Sequence, residues 1–343
     1  MLKIHAIDTQ FVLYKSITEN ASPTGGGAPS VRLFYFSFQF YPVTYMILYL
    51  HSTNSYIVAM RFVDLFSGMG SFHYSFGRLG WKCVLACDID PSSRCTYEHH
   101  YGIRPCENIM DVRSEDVPRY DILCAGFPCQ PFSSEGLRKG FKDPRGNMVF
   151  EVFRLVKGTR PPIVVLENVP GLVNHDQGKT FQTICKTLQK LGYEIAWDMW
   201  QATDFGIPQT RKRVFIVGVR KDWDRFFPPK RIFEVERYKK STSLARFFRK
   251  PFERTNAHTI RTGGHGGKFG ANFTWDVYMM NGKEYRLTLR DLLRLQGFPV
   301  RYKLCGPITH QRKQLGNTIP TIFTRMIGEN IQRSISKASR KEV

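Results

Sequence analysis

No two of the chain's eight cysteines (83, 87, 95, 106, 124, 129, 185 and 305) stand in a Cys-x-x-Cys spacing, which speaks against a zinc site. The first thirty residues lack the charged-then-apolar order of a secretory signal. Several cysteines sit inside apolar runs, where a free thiol behaves as a small hydrophobe, so a reduced, intracellular protein is expected. Clean apolar runs of membrane-spanning length are missing too. Residues 31–50 come nearest, but Arg32, Gln39 and Pro42 interrupt them, and a membrane anchor is not expected. Acidic side chains are scarce: 29 Asp and Glu face 50 Lys and Arg, a net charge of +21. Like-charge repulsion on that scale favours a polyanionic partner, most simply nucleic acid, over a merely solubilising surface.

What is present suits an ordinary globular core: 343 residues, 42% hydrophobic and 23% charged. Residues 1–59 differ from the rest, with a Gly/Pro/Ser-rich linker at 21–30. The patterned part of the chain begins at Arg61, so Met60 is expected to be the working start and the leader accessory or untranslated. From 61 to about 220, short apolar runs alternate with amphipathic stretches. Phe62–Phe66, Cys83–Cys87, Ile122–Ala125, Ile163–Leu166 and Val214–Val219 read as buried strands. Phe72–Leu79, Ser92–His100, Met148–Val156 and Thr180–Leu191 carry helical spacing between them. That alternation predicts an α/β, Rossmann-like doubly wound sheet with ligands at the carboxyl ends of its strands. Residues 221–285 are basic, aromatic and without clear period; Leu289–Leu295 begins a helix, and the closing 311–335 segment reads as a final helix after Gly316-Asn317.

Three places carry chemistry. After the first strand, Ser67-Gly68-Met69-Gly70 precedes a helix, a turn that lets backbone amides approach a ligand. Alone it reads equally as a plain strand–helix turn. The next strand ends at Asp88, placed as an acid that binds ribose hydroxyls, and together the two point to an adenosine-containing cofactor. The strand at Ile122–Ala125 stops at Gly126, and Pro128-Cys129 opens a polar loop, where a nucleophile belongs. Glu167-Asn168-Val169 closes another strand, and Gln209-x-Arg211-x-Arg213 follows.

As an ordered set over most of residues 61–335, these motifs resemble the cytosine-C5 DNA methyltransferases. The resemblance implies a class I methyltransferase fold with a small, irregular target-recognition domain. The divisions would be a leader (1–59), a catalytic and cofactor domain (60–220), a target-recognition region (221–285), a returning C-terminal segment (286–335) and a basic tail (336–343). It also implies S-adenosylmethionine as cofactor, held by Phe66, Gly68, Met69, Gly70, Asp88, Ile89, Asn108, Ile109, Pro128 and Asn317. Ser71 and Asn108 depart from the family, which commonly has a glycine and an acid there.

Cytosine C5 is too weak a nucleophile to take a methyl group from a sulfonium, and thiolate addition at C6 makes it enamine-like. By resemblance Cys129 is that thiolate, Glu167 serves N3, and Arg213 with Arg211 contacts the base O2; no metal is required. A duplex base must be flipped out to reach such a site. Gln130, Arg145 and Gln209 would touch the DNA, and the glycine-rich, basic loop 130–147 would close over the base. Double-stranded DNA is thus the expected partner of a monomeric enzyme, with a cognate restriction endonuclease as a further partner. The aromatics Phe226, Phe227, Phe247 and Phe248 read as core of the recognition region rather than as DNA contacts. The rival substrate is tRNA, taken by a branch that carries a Cys-Phe-Thr where this chain has Asn272-Phe273-Thr274. The rival class is a catalytically silent nucleic-acid binder, against which the joint presence of Cys129, Glu167, Arg211 and Arg213 argues.

Overall fold

Strand residues of this chain divide by parity between two apolar layers. Phe62, Ile122, Cys124, Ile163 and Val165 enter one core, while Val63, Leu65, Leu123, Ala125, Val164 and Leu166 enter the other. The computed structural model describes residues 59–128, 148–238, 242–264, 267–271 and 274–339. Its main sheet has six strands: β1 (Arg61–Leu65), β2 (Lys82–Cys87), β3 (Ile122–Gly126), β4 (Ile163–Asn168), β5 (Tyr193–Gln201) and β6 (Lys212–Arg220). They lie in the order β2-β1-β3-β4-β6-β5. The first four are parallel, and β6 runs antiparallel to both β4 and β5.

Helices cover both faces, as a doubly wound sheet requires. Helix α1 (Ser71–Gly77) follows the glycine turn, and α2 (Pro91–Tyr101) starts from an Asp90 cap whose carboxylate accepts the Ser93 amide. Helices α3 (Met148–Thr159), α4 (Gly171–Asn174) and α5 (Lys179–Lys190) follow. Val149, Val152 and Val156 of α3, with Ile184 and Leu188 of α5, fill the second layer. A third apolar cluster gathers α6 (Leu244–Phe248), the hairpin β7 (Val277–Met280) with β8 (Lys283–Arg286), and α7 (Leu289–Leu295). Phe248 is buried in this cluster with Phe247 against it, whereas Phe227, with Phe226 against it, is buried in the first layer of the main sheet and not in the core of the recognition region.

The expectations need three changes. The final helix does follow Gly316-Asn317, as α9 (Thr321–Ser339), but a helix that was not expected, α8 (Ile308–Asn317), precedes it; Pro320 parts the two, because it cannot continue a helix and forces the residue before it out of helical conformation. On α9, Phe323, Ile327, Ile331 and Ile335 recur every fourth residue and seal the first layer. Strand β5 was not expected; as an edge strand it leaves Trp197 45% exposed, and its apolar contrast is weak. The cysteines are not all free: Cys95 on α2 is joined to Cys305, 210 residues away. The pairing follows from Thr96, whose hydroxyl donates to Gln314 Oε1 and accepts the Cys305 amide, drawing the two segments together. No helix among the described residues is long and apolar enough to cross a membrane; the 31–50 stretch lies outside them.

Candidate active site

Beyond Leu65 the chain turns through left-handed backbone at Phe66 (φ 54), Gly68 (φ 54) and Gly70 (φ 88) before α1 begins. A side chain at Gly70 is doubly excluded, since its Cβ would stand 2.3 Å from the Tyr101 ring. Phe66 tolerates this conformation without being glycine, and strain of that kind gathers at functional turns. Two tyrosines clamp the turn from beneath: Tyr101 donates to Gly70 O at 3.0 Å and Tyr302 to Met69 O at 2.5 Å. Ser71 donates its hydroxyl to Ile319 O at 2.6 Å, tying the turn to the start of α9.

Asp88 closes the other side. Its carboxylate accepts the Gly68 amide at 2.7 Å and the Asp90 amide at 2.8 Å. Burial raises its pKa above the usual carboxylate range, and those two amides hold the rise back. Ile89 beside it is 72% exposed, whereas Ile109 is buried. Asn108 uses Oδ1 to cap the short helical turn at Met110. Gly68 has nothing within 4 Å of where a Cβ would be, so open space adjoins the turn.

A second group forms where β3 and β4 end and the antiparallel β6 begins. Register sets Gly126 opposite Glu167, and a Cβ at Gly126 would lie 3.2 Å from Glu167 Oε2. Glycine there makes room for the carboxylate. Arg213 Nε meets Glu167 Oε1 at 2.9 Å, with both side chains almost enclosed. Burial pushes the Glu167 pKa up, and the Arg213 and Arg211 guanidiniums draw it part of the way back. Asn168 donates to Phe127 O at 3.1 Å and so fixes the backbone just before Pro128. Cys129, Gln130 and Arg145 lie outside the described residues, as does the rest of loop 129–147.

Two of the expected contact residues stand elsewhere. Arg211 is fully buried, donating to Ile260 O (2.9 Å), Gly316 O (2.9 Å) and Thr318 O (2.8 Å). Its guanidinium is engaged with backbone, so it braces the site instead of meeting a base. Gln209 is likewise buried, with Nε2 on Leu295 O and Oε1 on the Ile260 amide, and it presents nothing to a nucleic acid. Both are drawn in because three segments converge: residues 209–211, 257–262 and 316–318. Gly316 permits the convergence, for a Cβ there would meet Arg261 and Thr262 backbone at 2.6–2.7 Å. Asn317, on the same turn, is exposed.

Sequence reasoning missed the two clamping tyrosines, which carry no motif, and the hairpin turn Asn281-Gly282. That dipeptide, with φ 48 and 70, is a standard hairpin signal and could have been read. Among the described residues no group of three or more His, Cys, Asp or Glu could hold a metal.

The family model described as C-5 cytosine-specific DNA methylase matches residues 60–260 and 233–333. Type II methyltransferase M.DsaV of Dactylococcopsis salina is 35% identical over 300 residues, covering 79% of this chain and 86% of its own. Type II methyltransferase M.HhaI of Haemophilus parahaemolyticus is 31% identical over 315 residues, covering 82% of this chain and 96% of its own. In structure, the S. pombe Dnmt2 methyltransferase superposes with a TM-score of 0.59 at 18% identity, over 81% of this chain and 99% of its own. At that identity the likeness speaks for the fold.

Proposed function

The chain belongs to the C-5 cytosine-specific DNA methylase family, and from that premise we propose how its side chains methylate cytosine in DNA at C5. The observation that carries the reading is Glu167: a buried carboxyl with a raised pKa, paired with Arg213 where β4 adjoins the end of β3. A buried carboxyl that holds its proton more readily than an ordinary glutamate is suited to donate to N3 of a cytosine.

The residues around the glycine turn suit S-adenosylmethionine. Gly68 borders open space, the exposed Ile89 offers an apolar wall for the adenine, and Asp88 keeps lone pairs for ribose hydroxyls. Phe66, Met69, Gly70, Asn108, Ile109, Pro128 and Asn317 complete the proposed set. When bound, this cofactor supplies the electrophilic methyl group.

The chain's own groups prepare the base. The Cys129 thiolate forms a bond to C6 while Glu167 gives its proton to N3, and the C5–C6 π electrons become an enamine with nucleophilic C5. Arg213 holds Glu167 and the base O2, and Arg211 braces the wall behind them. After C5 is methylated, its proton leaves to solvent. The C6–sulfur bond then breaks, the ring recovers its double bond, and Glu167 regains the N3 proton.

Residues 60–220 form the catalytic part of this reading, 221–285 the recognition region and 286–335 the returning segment; 1–59 and 336–343 stand outside it. A monomer acting on duplex DNA within the cell is proposed, and the relatives named Type II methyltransferases support a cognate restriction endonuclease beside it. The test is incubation of the full chain with tritiated S-adenosylmethionine and either mixed-sequence duplex DNA or tRNA, followed by base analysis. Label in DNA 5-methylcytosine is expected. Label confined to tRNA, or none in either, contradicts the reading.

A further inference from the structure

The recognition region contains one buried carboxylate with two cationic partners. Asp276 is wholly enclosed, and each oxygen takes a guanidinium at 2.8 Å: Oδ1 from Arg286 on β8 and Oδ2 from Arg312 on α8. Arg312 also reaches Leu287 O at 3.2 Å. Arg286 uses its second terminal nitrogen differently, donating to Gly267 O at 2.6 Å.

Gly267 leads into a tight turn. The Ala271 amide returns to Lys268 O at 3.1 Å, and Gly270 at φ 76 allows the reversal. Phe269 stands at its tip, 51% exposed, and its amide is held by Glu284 Oε1 at 3.3 Å. The lead-in is anchored as well, since Trp275 Nε1 donates to Gly263 O at 2.6 Å. Farther back along the chain, Ile260 O is the carbonyl that Arg211 grips. An apolar ring carried beside Lys268 on a turn pinned this tightly is suited to pressing against bases, while the lysine meets phosphate.

We propose that Arg286 is a specificity-positioning residue: anchored on Asp276, it holds the Lys268–Ala271 turn, with Phe269 at its tip, in the posture that reads the target duplex. The inference rests on the DNA-methylating function proposed above. Its chemical core is that one planar fork serves two acceptors in two elements. A lysine carries a single nitrogen on a flexible stem and can hold Asp276 or Gly267, not both.

The full chain, as wild type, Arg286→Lys and Phe269→Ala, is given a random-sequence duplex library, and methylated positions are read by sequencing. Arg286→Lys keeps a cation for Asp276, which Arg312 also holds, and Phe269→Ala alters an exposed ring, so thermal midpoints should fall by no more than the roughly 3–6 °C of one lost charged hydrogen bond. Both variants should lose about tenfold or more of the preference for the wild-type target over single-base variants of it. The cofactor KM should stay unchanged. A variant that only lost folded protein would methylate less, with the same preference. Wild-type preference in both variants overturns the proposal. A wild type that methylates no DNA overturns the underlying function and this inference with it.

Discussion

Replacing Arg211 with lysine should damage the protein as a structural loss before it registers as a chemical one. The guanidinium spans three carbonyls, of Ile260, Gly316 and Thr318, in a place without solvent. An ammonium in that space reaches one of them and strands two. Each hydrogen bond to a charged donor is worth about 1.5–3 kcal/mol, so the loss is about 3–6 kcal/mol. For a domain this large, about 2 °C per kcal/mol converts that to a drop of roughly 6–12 °C in Tm. Arg213→Lys offers the contrast, because Arg213 partners Glu167 and its one backbone acceptor is the neighbouring Lys212 carbonyl. It should cost transfer rate with little loss of Tm. Scanning fluorimetry gives the midpoints, and single-turnover transfer on trapped, active enzyme gives the rate. An Arg211→Lys protein that melts within about 2 °C of wild type, near the shift of a 1 kcal/mol change, yet loses transfer would refute the bracing role and return Arg211 to the base.

Glu167→Gln should lower kcat by roughly 10²–10⁴, the usual worth of a positioned acid. Because burial raises the Glu167 pKa, the donor is present below that value and lost as pH climbs through it, so the alkaline fall of wild-type kcat should vanish in the variant. An alkaline limb that survives in Glu167→Gln assigns it to another group. Asp88→Ala frees the Gly68 and Asp90 amides and should weaken S-adenosylhomocysteine binding at least about tenfold, as expected for two charge-assisted bonds, with DNA affinity held; unchanged calorimetric affinity would exclude the role. Gly316→Ala forces a methyl into Arg261 and Thr262 backbone and should cost about 1–3 kcal/mol by denaturant titration. An unchanged midpoint would show that the two segments part without cost.

Much of this architecture was legible because buried parallel strands write themselves as unbroken apolar runs. Phe62–Phe66, Ile122–Ala125 and Ile163–Leu166 differ from the observed β1, β3 and β4 by a residue or two at their ends. The edge strand β5 was not legible, since only Tyr193 and Trp200 of its nine residues are buried and no apolar run marks it. The glycine turn was legible because left-handed backbone demands glycine, and Glu167 because a carboxylate closing an apolar strand stands out. Gln209 and Arg211 were legible as a motif but not as to their task. A buried arginine on three carbonyls and a surface arginine on a base look alike in one dimension, and the segments it joins lie 49 to 107 residues away. The Cys95–Cys305 pairing hides for the same reason: only the folded chain sets Thr96 against Gln314.

The central claim is that cytosine is attacked at C6 by Cys129 while Glu167 supplies a proton to N3. The most direct measurement is denaturing electrophoresis and intact mass after wild type and Cys129→Ser are incubated with S-adenosylmethionine and duplex DNA carrying 5-fluorocytosine, which cannot lose its C5 substituent as a proton. The account predicts a stable adduct of wild type with methylated DNA, and none with the serine variant. Free wild-type protein in a reaction that methylates ordinary DNA, or an adduct retained by Cys129→Ser, would contradict it.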